Sequence, residues 1–269
     1  QLQRRKGEVH WVRSIQKALN QNGFELYSQM IQPIDDSSHT LHFEILLRML
    51  DIDGTVIPPG KFLPAAERFR LMPLIDAWVI ENSFKMIADA ARYADVQDYI
   101  WTINLSGQSM NEPNLEESIS SFVKQYQISP EMYCFEVTET VAVNNLKDAK
   151  RFMNILKDQG FRFALDDFGS GLSSFAYLKS LPVDYLKIDG SFIKGIVDDP
   201  FTGAIVKAIN QVSQVRGLET IAEFVENPEI IRCIKDIGIN YAQGYGISKP
   251  IPLSEQLNNL RLEKLRFVS

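Results

Sequence analysis

Short apolar runs alternate with longer stretches of helical periodicity along most of the chain. The apolar runs predict six strands, at residues 99–105, 132–138, 161–167, 184–188, 218–223 and 240–243. The helical stretches lie at residues 61–72, 74–92, 114–126, 145–158, 173–180, 200–216 and 227–236, with a last one from about residue 253. Strands that alternate with helices of roughly 10–17 residues indicate parallel βαβ units.

The first fifty or so residues follow another pattern. Residues 24–34 and 41–50 predict two strands joined by a short polar turn, which is typical of an antiparallel hairpin. With the βα units that follow, they predict an α/β fold, a parallel barrel or sheet with an irregular first strand. Residues 1–22 carry apolar side chains at helical spacing and predict a lead-in helix ahead of the barrel domain, residues 23–269. This helix would either cap one barrel end or connect the barrel to a preceding domain.

Composition narrows the functional class. With 269 residues, of which 45% are hydrophobic, the chain can bury one sizeable core. A net charge of −6 argues against binding DNA, although a small anionic ligand could still be held through metal ions. No apolar run approaches the ~18 residues of a membrane span and no signal peptide is visible, so we expect a cytoplasmic domain without membrane contact. Cys134 and Cys233 are expected to be reduced thiols, and a start at Gln1 suggests a segment of a longer protein.

Polar, chemically versatile side chains stand where the predicted strands end. They are Asn104, Glu136, Asp166, Asp167, Lys187, Glu223 and Gln243. In a closed parallel barrel the carboxyl ends of the strands meet at one mouth. Glu44, in the second predicted strand, adds another carboxylate. Because oxygen ligands suit hard divalent cations, the sequence predicts a metal site at this mouth.

Asp166 and Asp167 form the most specific local signal. Two adjacent carboxylates raise each other's pKa unless cations lie nearby, so the pair favours two divalent ions, about 3.5–4 Å apart. The simpler alternative is a pair that caps a helix. Lys187, on the barrel-lining face, would face anions and orient or acidify a water, or else extend to solvent at the rim.

Arg48, Glu139 and Glu226 each allow two interpretations. Arg48 shares a strand face with Glu44 and would either bind a phosphate or form a salt bridge with Glu44. Glu139 is either an anchor for the metal-site loop or an exposed loop acid. Glu226 either supports Glu223 or begins the next helix. No phosphate-binding loop, zinc spacing or nucleophile elbow is present.

These residues fall in seven motifs that follow one another along the chain. They are Glu44-Ile45-Leu46-Leu47-Arg48, Asn104-Leu105-Ser106, Glu136-Val137-Thr138-Glu139, Asp166-Asp167-Phe168-Gly169-Ser170-Gly171, Lys187-Ile188-Asp189, Ala222-Glu223-Phe224-Val225-Glu226 and Gln243-Gly244-Tyr245. In order and content they resemble the motifs of EAL-domain cyclic-di-GMP phosphodiesterases, over nearly the whole chain from Phe24 onward.

The resemblance implies a modified (β/α)8 TIM-like barrel with an antiparallel first strand. It also implies an enzyme that hydrolyses cyclic-di-GMP to linear pGpG with two Mg²⁺ or Mn²⁺ ions. It implies that Glu44, Asn104, Glu136 and Asp166 hold one ion. It implies that Asp166, Asp167 and Glu223 serve the second, with Lys187 and Gln243 on the water and Glu139 bracing the loop. Either Glu223 or Asp167 would accept the proton.

The resemblance also implies partners. A homodimer is expected, and the lead-in segment resembles the hinge helix that follows a GGDEF domain, so an upstream GGDEF or sensory domain is expected. A receptor that binds cyclic-di-GMP without cleaving it, or a barrel enzyme for another phosphodiester, are the alternatives. The chain departs from the family pattern at Ile45, Ser170, Leu172, Phe224 and Gly246, none of which is an expected metal ligand.

Overall fold

The computed structural model describes residues 2–35, 40–169 and 175–268. Within this part of the chain the strands are β1 (Phe24–Pro33), β2 (His42–Leu50), β3 (Val56–Ile57), β4 (Ile100–Asn104), β5 (Tyr133–Thr138), β6 (Arg162–Phe168), β7 (Tyr185–Ile188), β8 (Glu219–Ala222), β9 (Tyr241–Ala242) and β10 (Ile251–Pro252). The helices are α1 (Leu2–Asn20), α2 (Leu63–Arg68), α3 (Met72–Ala90), α4 (Leu115–Tyr126), α5 (Glu139–Asn144), α6 (Leu146–Lys157), α7 (Phe175–Leu178), α8 (Gly190–Gly195), α9 (Pro200–Arg216), α10 (Pro228–Ile237) and α11 (Leu253–Val268).

Eight strands close into a barrel. From β2 the sheet runs in parallel through β4, β5, β6, β7, β8 and β9, and β1 closes it. β1 pairs antiparallel with both of its barrel neighbours, β2 and β9, which confirms the predicted (β/α)8 TIM-like barrel with an antiparallel first strand. The two-residue strands β3 and β10 extend β2 and β1 outside the closed ring.

The predicted helices are found with shifted ends. α1 covers most of the predicted lead-in segment, and its Ile15 and Ala18 are buried where it packs on α2 and α3. The helices predicted at 61–72 and 74–92 are separated at residues 69–71, and Pro73 lies in the first turn of α3, where a missing amide proton costs nothing. The short helices α5 and α8 were not predicted.

The inside of the barrel is built in layers. An apolar layer contains Ile31, Ile100, Cys134, Ala164, Tyr185, Ile221 and Tyr241. Side chains two residues apart on a strand share a face, so Cys134 and Tyr185 lie below Glu136 and Lys187. The same spacing places Ile221 and Tyr241 below Glu223 and Gln243. The apolar layer therefore floors a polar layer that faces the mouth.

Two remaining sequence expectations concern cysteines and membranes. Cys134 and Cys233 are unpaired thiols, the first buried in the barrel and the second half-buried on α10. Within the described ranges, no helix is both long enough and apolar enough to cross a bilayer. The predicted turn after β1 and most of the loop after β6, including Ser170, Gly171 and Leu172, lie outside the described residues.

Candidate active site

A buried lysine stands at the centre of the polar layer. Lys187, near the end of β7, is 1% exposed, and its Nζ lies 2.9 Å from Glu223 Oε1 and 3.3 Å from Asp166 Oδ1. The same ammonium also lies 3.5 Å from Glu44 Oε2 and contacts Glu136 Oε1. Strands β2, β5 and β6, together with the residue that follows β8, thus supply the four carboxylates around one cation. The alternative of a lysine that extends to solvent at the rim is wrong.

Burial and mutual charge shape how this cluster binds protons. Burial would lower the pKa of Lys187, but the charges of Asp166, Glu136, Glu223 and Glu44 outweigh it and raise that pKa well above its usual value. Burial, together with the negative charge of Asp166, raises the pKa of Glu136 well above its usual range. Burial also raises the pKa of Glu223 to about 7, against the opposing attraction of Lys187. The cluster therefore keeps a charged lysine and holds a carboxyl group that can exchange a proton near neutral pH.

Two side-chain amides bind the carboxylate of Glu44. Asn104 Nδ2 donates to Glu44 Oε1 at 2.7 Å, and Gln243 Nε2 donates to Glu44 Oε2 at 2.6 Å. Gln243 Nε2 also lies 3.3 Å from Oε1 of Gln29, whose own amide donates to Ser248 O at 2.9 Å. These bonds fix the orientation of Glu44 and leave the oxygens of Asn104 and Gln243 for other partners.

Asp166 and Asp167 both lie inside β6, so the alternative of a helix cap is wrong. Asp166 reaches the lysine, whereas Asp167 has a backbone φ of 54° and lies beside Asp189. Partial burial and the charges of Asp166 and Asp189 raise the pKa of Asp167 to about 6. The two neighbouring acids therefore have different surroundings, since only Asp166 contacts Lys187.

Glu139 begins α5 and is 5% exposed, so its expected position in a loop, and the alternative of an exposed acid, are both wrong. Its Oε2 accepts from the backbone amide of Gly169 at 2.9 Å, and its Oε1 accepts from the hydroxyl of Tyr177. Gly169 is two residues beyond Asp167, so Glu139 ties the end of the acidic strand to α5 and α7.

The cluster has the donor set of a hard-cation site. Glu136, Asp166 and Glu223 each offer one carboxylate oxygen, and these three atoms lie within 4.8 Å of one another. Glu136 Oε2 is buried and, among the described residues, has no hydrogen-bond partner. A buried carboxylate oxygen without a partner is costly, and a divalent cation would satisfy it. The residues present therefore fit a divalent metal ion.

A cleft of about 360 Å³ opens beside the cluster. Its lining residues include Gln29, Glu44, Leu46, Arg48, Glu223, Phe224, Glu226, Gln243, Gly244, Tyr245 and Pro250. Glu44, Leu46 and Arg48 share this face, as strand alternation predicted. The expected alternative, a salt bridge to Glu44, is not what the structure shows for Arg48. Its guanidinium lies 5.2 Å from the ring centroid of Tyr27 and donates to Leu47 O at 2.8 Å.

Glu226 lines the cleft. It does not begin the next helix, since α10 starts after its N-cap residue, Asn227. Its Oε1 is 4.0 Å from Nζ of Lys194 on α8. Two departures from the family pattern lie close by. Phe224 has a φ of 52°, a conformation in which glycine is unstrained and other residues are not. Gly246 lies so close to the backbone that an added Cβ would stand 2.7 Å from the carbonyl carbon of Glu226.

Sequence reasoning missed three residues that support the site. Gln29 lies in the middle of the antiparallel strand β1, so a search for polar residues at the carboxyl ends of strands does not find it. Asp76 on α3 is buried and accepts from Ser106 N at 2.9 Å and Ser109 Oγ at 2.6 Å, just beyond Asn104. Asp189 belongs to the Lys187-Ile188-Asp189 motif, and its place in that motif is the signal that could have identified it.

Comparison with known proteins places this geometry in context. A family model described as EAL domain matches residues 12–250. The chain is similar to cyclic di-GMP phosphodiesterase PdeB of Shewanella oneidensis, with 44% identity over 91% of this chain and 28% of that protein. It is also similar to cyclic di-GMP phosphodiesterase PdeF of Escherichia coli, with 39% identity over 95% of this chain and 34% of that protein. The chain thus spans about a third of the length of these relatives.

Solved structures share the fold. The FimX EAL domain of Pseudomonas aeruginosa bound to c-di-GMP superposes with a TM-score of 0.83 and 31% identity, over 89% of this chain and 96% of that one. The PaMucR phosphodiesterase in complex with c-di-GMP gives a TM-score of 0.85 and 28% identity, over 92% of this chain and 99% of that one.

Proposed function

Because this chain belongs to the EAL domain family, we propose that it is a metal-dependent phosphodiesterase that hydrolyses cyclic-di-GMP to linear pGpG. One observation carries the proposal. Four carboxylates, from β2, β5, β6 and the residue just after β8, converge on the buried Lys187 beside a cleft that also contains Arg48. Relatives named as cyclic di-GMP phosphodiesterases, and structures titled with c-di-GMP, support the choice of substrate.

The acidic cluster would hold two Mg²⁺ or Mn²⁺ ions. Glu44, Asn104, Glu136 and Asp166 would hold one, and Asp166, Asp167 and Glu223 would hold the other. Bound divalent ions would lower the pKa of water from ~15.7 towards neutrality and neutralise negative charge on the phosphate.

The residues of the chain then have separate tasks. Glu223, which contacts Lys187, and Asp167, which lies beside Asp189, are the two candidates to accept a proton from the attacking water. Lys187 remains charged and stabilises the negative charge that develops nearby. Gln243 orients the water through its amide, which already contacts Glu44.

Arg48 would bind a phosphate of the substrate. Its guanidinium lines the cleft and, within the described part of the chain, contacts the ring of Tyr27 and the carbonyl of Leu47 and no carboxylate, so its charge is available to an anion. Glu139 and Glu226 would support the site from outside, Glu139 through the Gly169 amide and Glu226 through its ion pair with Lys194.

We also propose the setting in which the domain works. It would be the output domain of a longer cytoplasmic signalling protein with an upstream GGDEF or sensory domain, and it would act as a homodimer. Its curated relatives are about three times as long as the matched region, which leaves room for further domains in such proteins.

The test is to incubate the purified domain with cyclic-di-GMP and Mg²⁺ or Mn²⁺ and to separate the products by chromatography. We expect pGpG, no product with EDTA, and a loss on the order of 100-fold or more in Glu44→Gln, which removes a proposed metal ligand. Glu117→Gln is the matched control, because Glu117 is exposed on α4. Tight binding without any pGpG would favour a receptor, and turnover of other phosphodiesters alone would favour a different enzyme.

A further inference from the structure

Phe224 is an aromatic side chain on the cleft wall in a conformation that is unfavourable for it. It follows Glu223 directly, lines the cleft and is 51% exposed. Its φ of 52° lies in the left-handed region, which bulky residues rarely adopt. Such strain persists where the surrounding structure enforces it, and it is concentrated at functional sites.

Contacts with α8 hold the ring in place. Gly190 packs so closely against it that any Cβ at position 190 would overlap the ring. Lys194, one turn further along α8, places its Nζ 4.3 Å from the ring centroid. Both contacts come from one helix, while about half of the residue stays exposed and it lines the cleft.

We propose that Phe224 is a stacking platform for a purine base of the substrate, and thereby a determinant of substrate affinity in this chain. A half-exposed aromatic ring at the cleft, with a cation 4.3 Å from its centroid, suits a flat aromatic ligand. The distance to the chemistry is short, because Glu223, the preceding residue, contacts Lys187 at 2.9 Å. The inference deepens the proposed function and rests on it, since the base would belong to cyclic-di-GMP.

Two substitutions separate the ring from the backbone. Phe224→Asn removes the ring, while asparagine tolerates the left-handed conformation. Phe224→Trp keeps an aromatic surface. The matched control is Phe201→Asn, because Phe201 is 72% exposed at the start of α9 and does not line the cleft.

Stacking of one base on an aromatic side chain contributes about 1–3 kcal/mol, which converts to about 5- to 150-fold in affinity. We therefore expect Phe224→Asn to raise the KM for cyclic-di-GMP by that factor, with a smaller change in kcat. The temperature of unfolding should not fall, because the strain at residue 224 is relieved. Phe224→Trp should restore most of the affinity, and Phe201→Asn should match the parent protein.

Direct binding distinguishes this inference from the proposed function. Calorimetry with cyclic-di-GMP and Mg²⁺, in a Glu44→Gln background that slows cleavage, gives the Kd with and without Phe224→Asn. If the parent domain produces pGpG but neither KM nor Kd depends on Phe224, the stacking role is wrong and the enzyme assignment stands. If no pGpG forms but the Kd depends on Phe224, the enzyme assignment is wrong and the stacking role stands.

Discussion

The proton on Glu223 should make the stability of the metal-free domain depend on pH. The pKa of this carboxyl rises from 4.5 to about 7 on folding, because the group is buried next to Asp166 and only partly compensated by Lys187. The perturbation is Glu223→Gln, which keeps the shape of the side chain and removes its titration. In the folded state Glu223 binds a proton more tightly than in the unfolded chain.

The direction and magnitude of the pH dependence of stability follow from this difference in proton binding. Between pH 4.5 and about 7 the folded state holds more protons than the unfolded state, so stability falls as pH rises. The contribution is fully present below pH 4.5 and is lost as pH rises through about 7. At 1.36 kcal/mol per pKa unit the total is about 3 kcal/mol, and most of it falls between about pH 5 and 8.

Urea unfolding in EDTA at several pH values, followed by circular dichroism, measures the effect. We expect the free energy of unfolding of the parent domain to decrease from pH 5 to pH 8 by about 2–3 kcal/mol more than that of Glu223→Gln. With Mg²⁺ present the excess should disappear, because an ion would hold Glu223 in its charged form. A difference between the two proteins that stays constant with pH would refute the reasoning.

Three further predictions follow from single contacts. Gly246→Leu should lower the free energy of unfolding by about 1–3 kcal/mol, because its Cβ would stand 2.7 Å from Glu226 C, whereas Gly60→Ala, with open space around it, should not. Glu139→Ala should lower the free energy of unfolding by about 1–3 kcal/mol and reduce phosphodiesterase turnover, because the Gly169 amide loses its acceptor. Turnover equal to that of the parent domain would contradict a supporting role for Glu139. In a titration of activity with Mg²⁺, Asp76→Ala should need more Mg²⁺ than the parent domain, whereas Asp76→Asn, which keeps an acceptor oxygen for Ser106 N, should need about the same amount. Identical titration curves for the two variants would show that Asp76 does not support the metal site.

The sequence predicted the barrel because its signals are long and repeated. Buried parallel strands followed by amphipathic helices leave a periodic pattern, and the hairpin of β1 and β2 is visible in its short polar turn. The two-residue strands β3 and β10 and the six-residue helices α5 and α8 span too few positions to show a period. The placement of Glu139 was wrong for this reason, because the helix that it begins was not recognised.

The acidic cluster was predictable because its members follow strand residues on the inner face, whereas its supports were not. Gln29 lies in the middle of a reversed strand, and Asp76 lies on a helix distant in sequence from Asn104. Both are recognised only through contacts that join distant parts of the chain, such as Asp76 Oδ2 to Ser106 N. A local pattern in the sequence carries no information about such contacts.

The position of Lys187 among the carboxylates also bears on how the protein folds before it binds a metal ion. Because Lys187 offsets part of the negative charge in the barrel, we expect the polypeptide to reach its native state while divalent ions are scarce. Fluctuations in the supply of magnesium or manganese would then switch the activity of a pool of ready protein without altering how much of that protein survives.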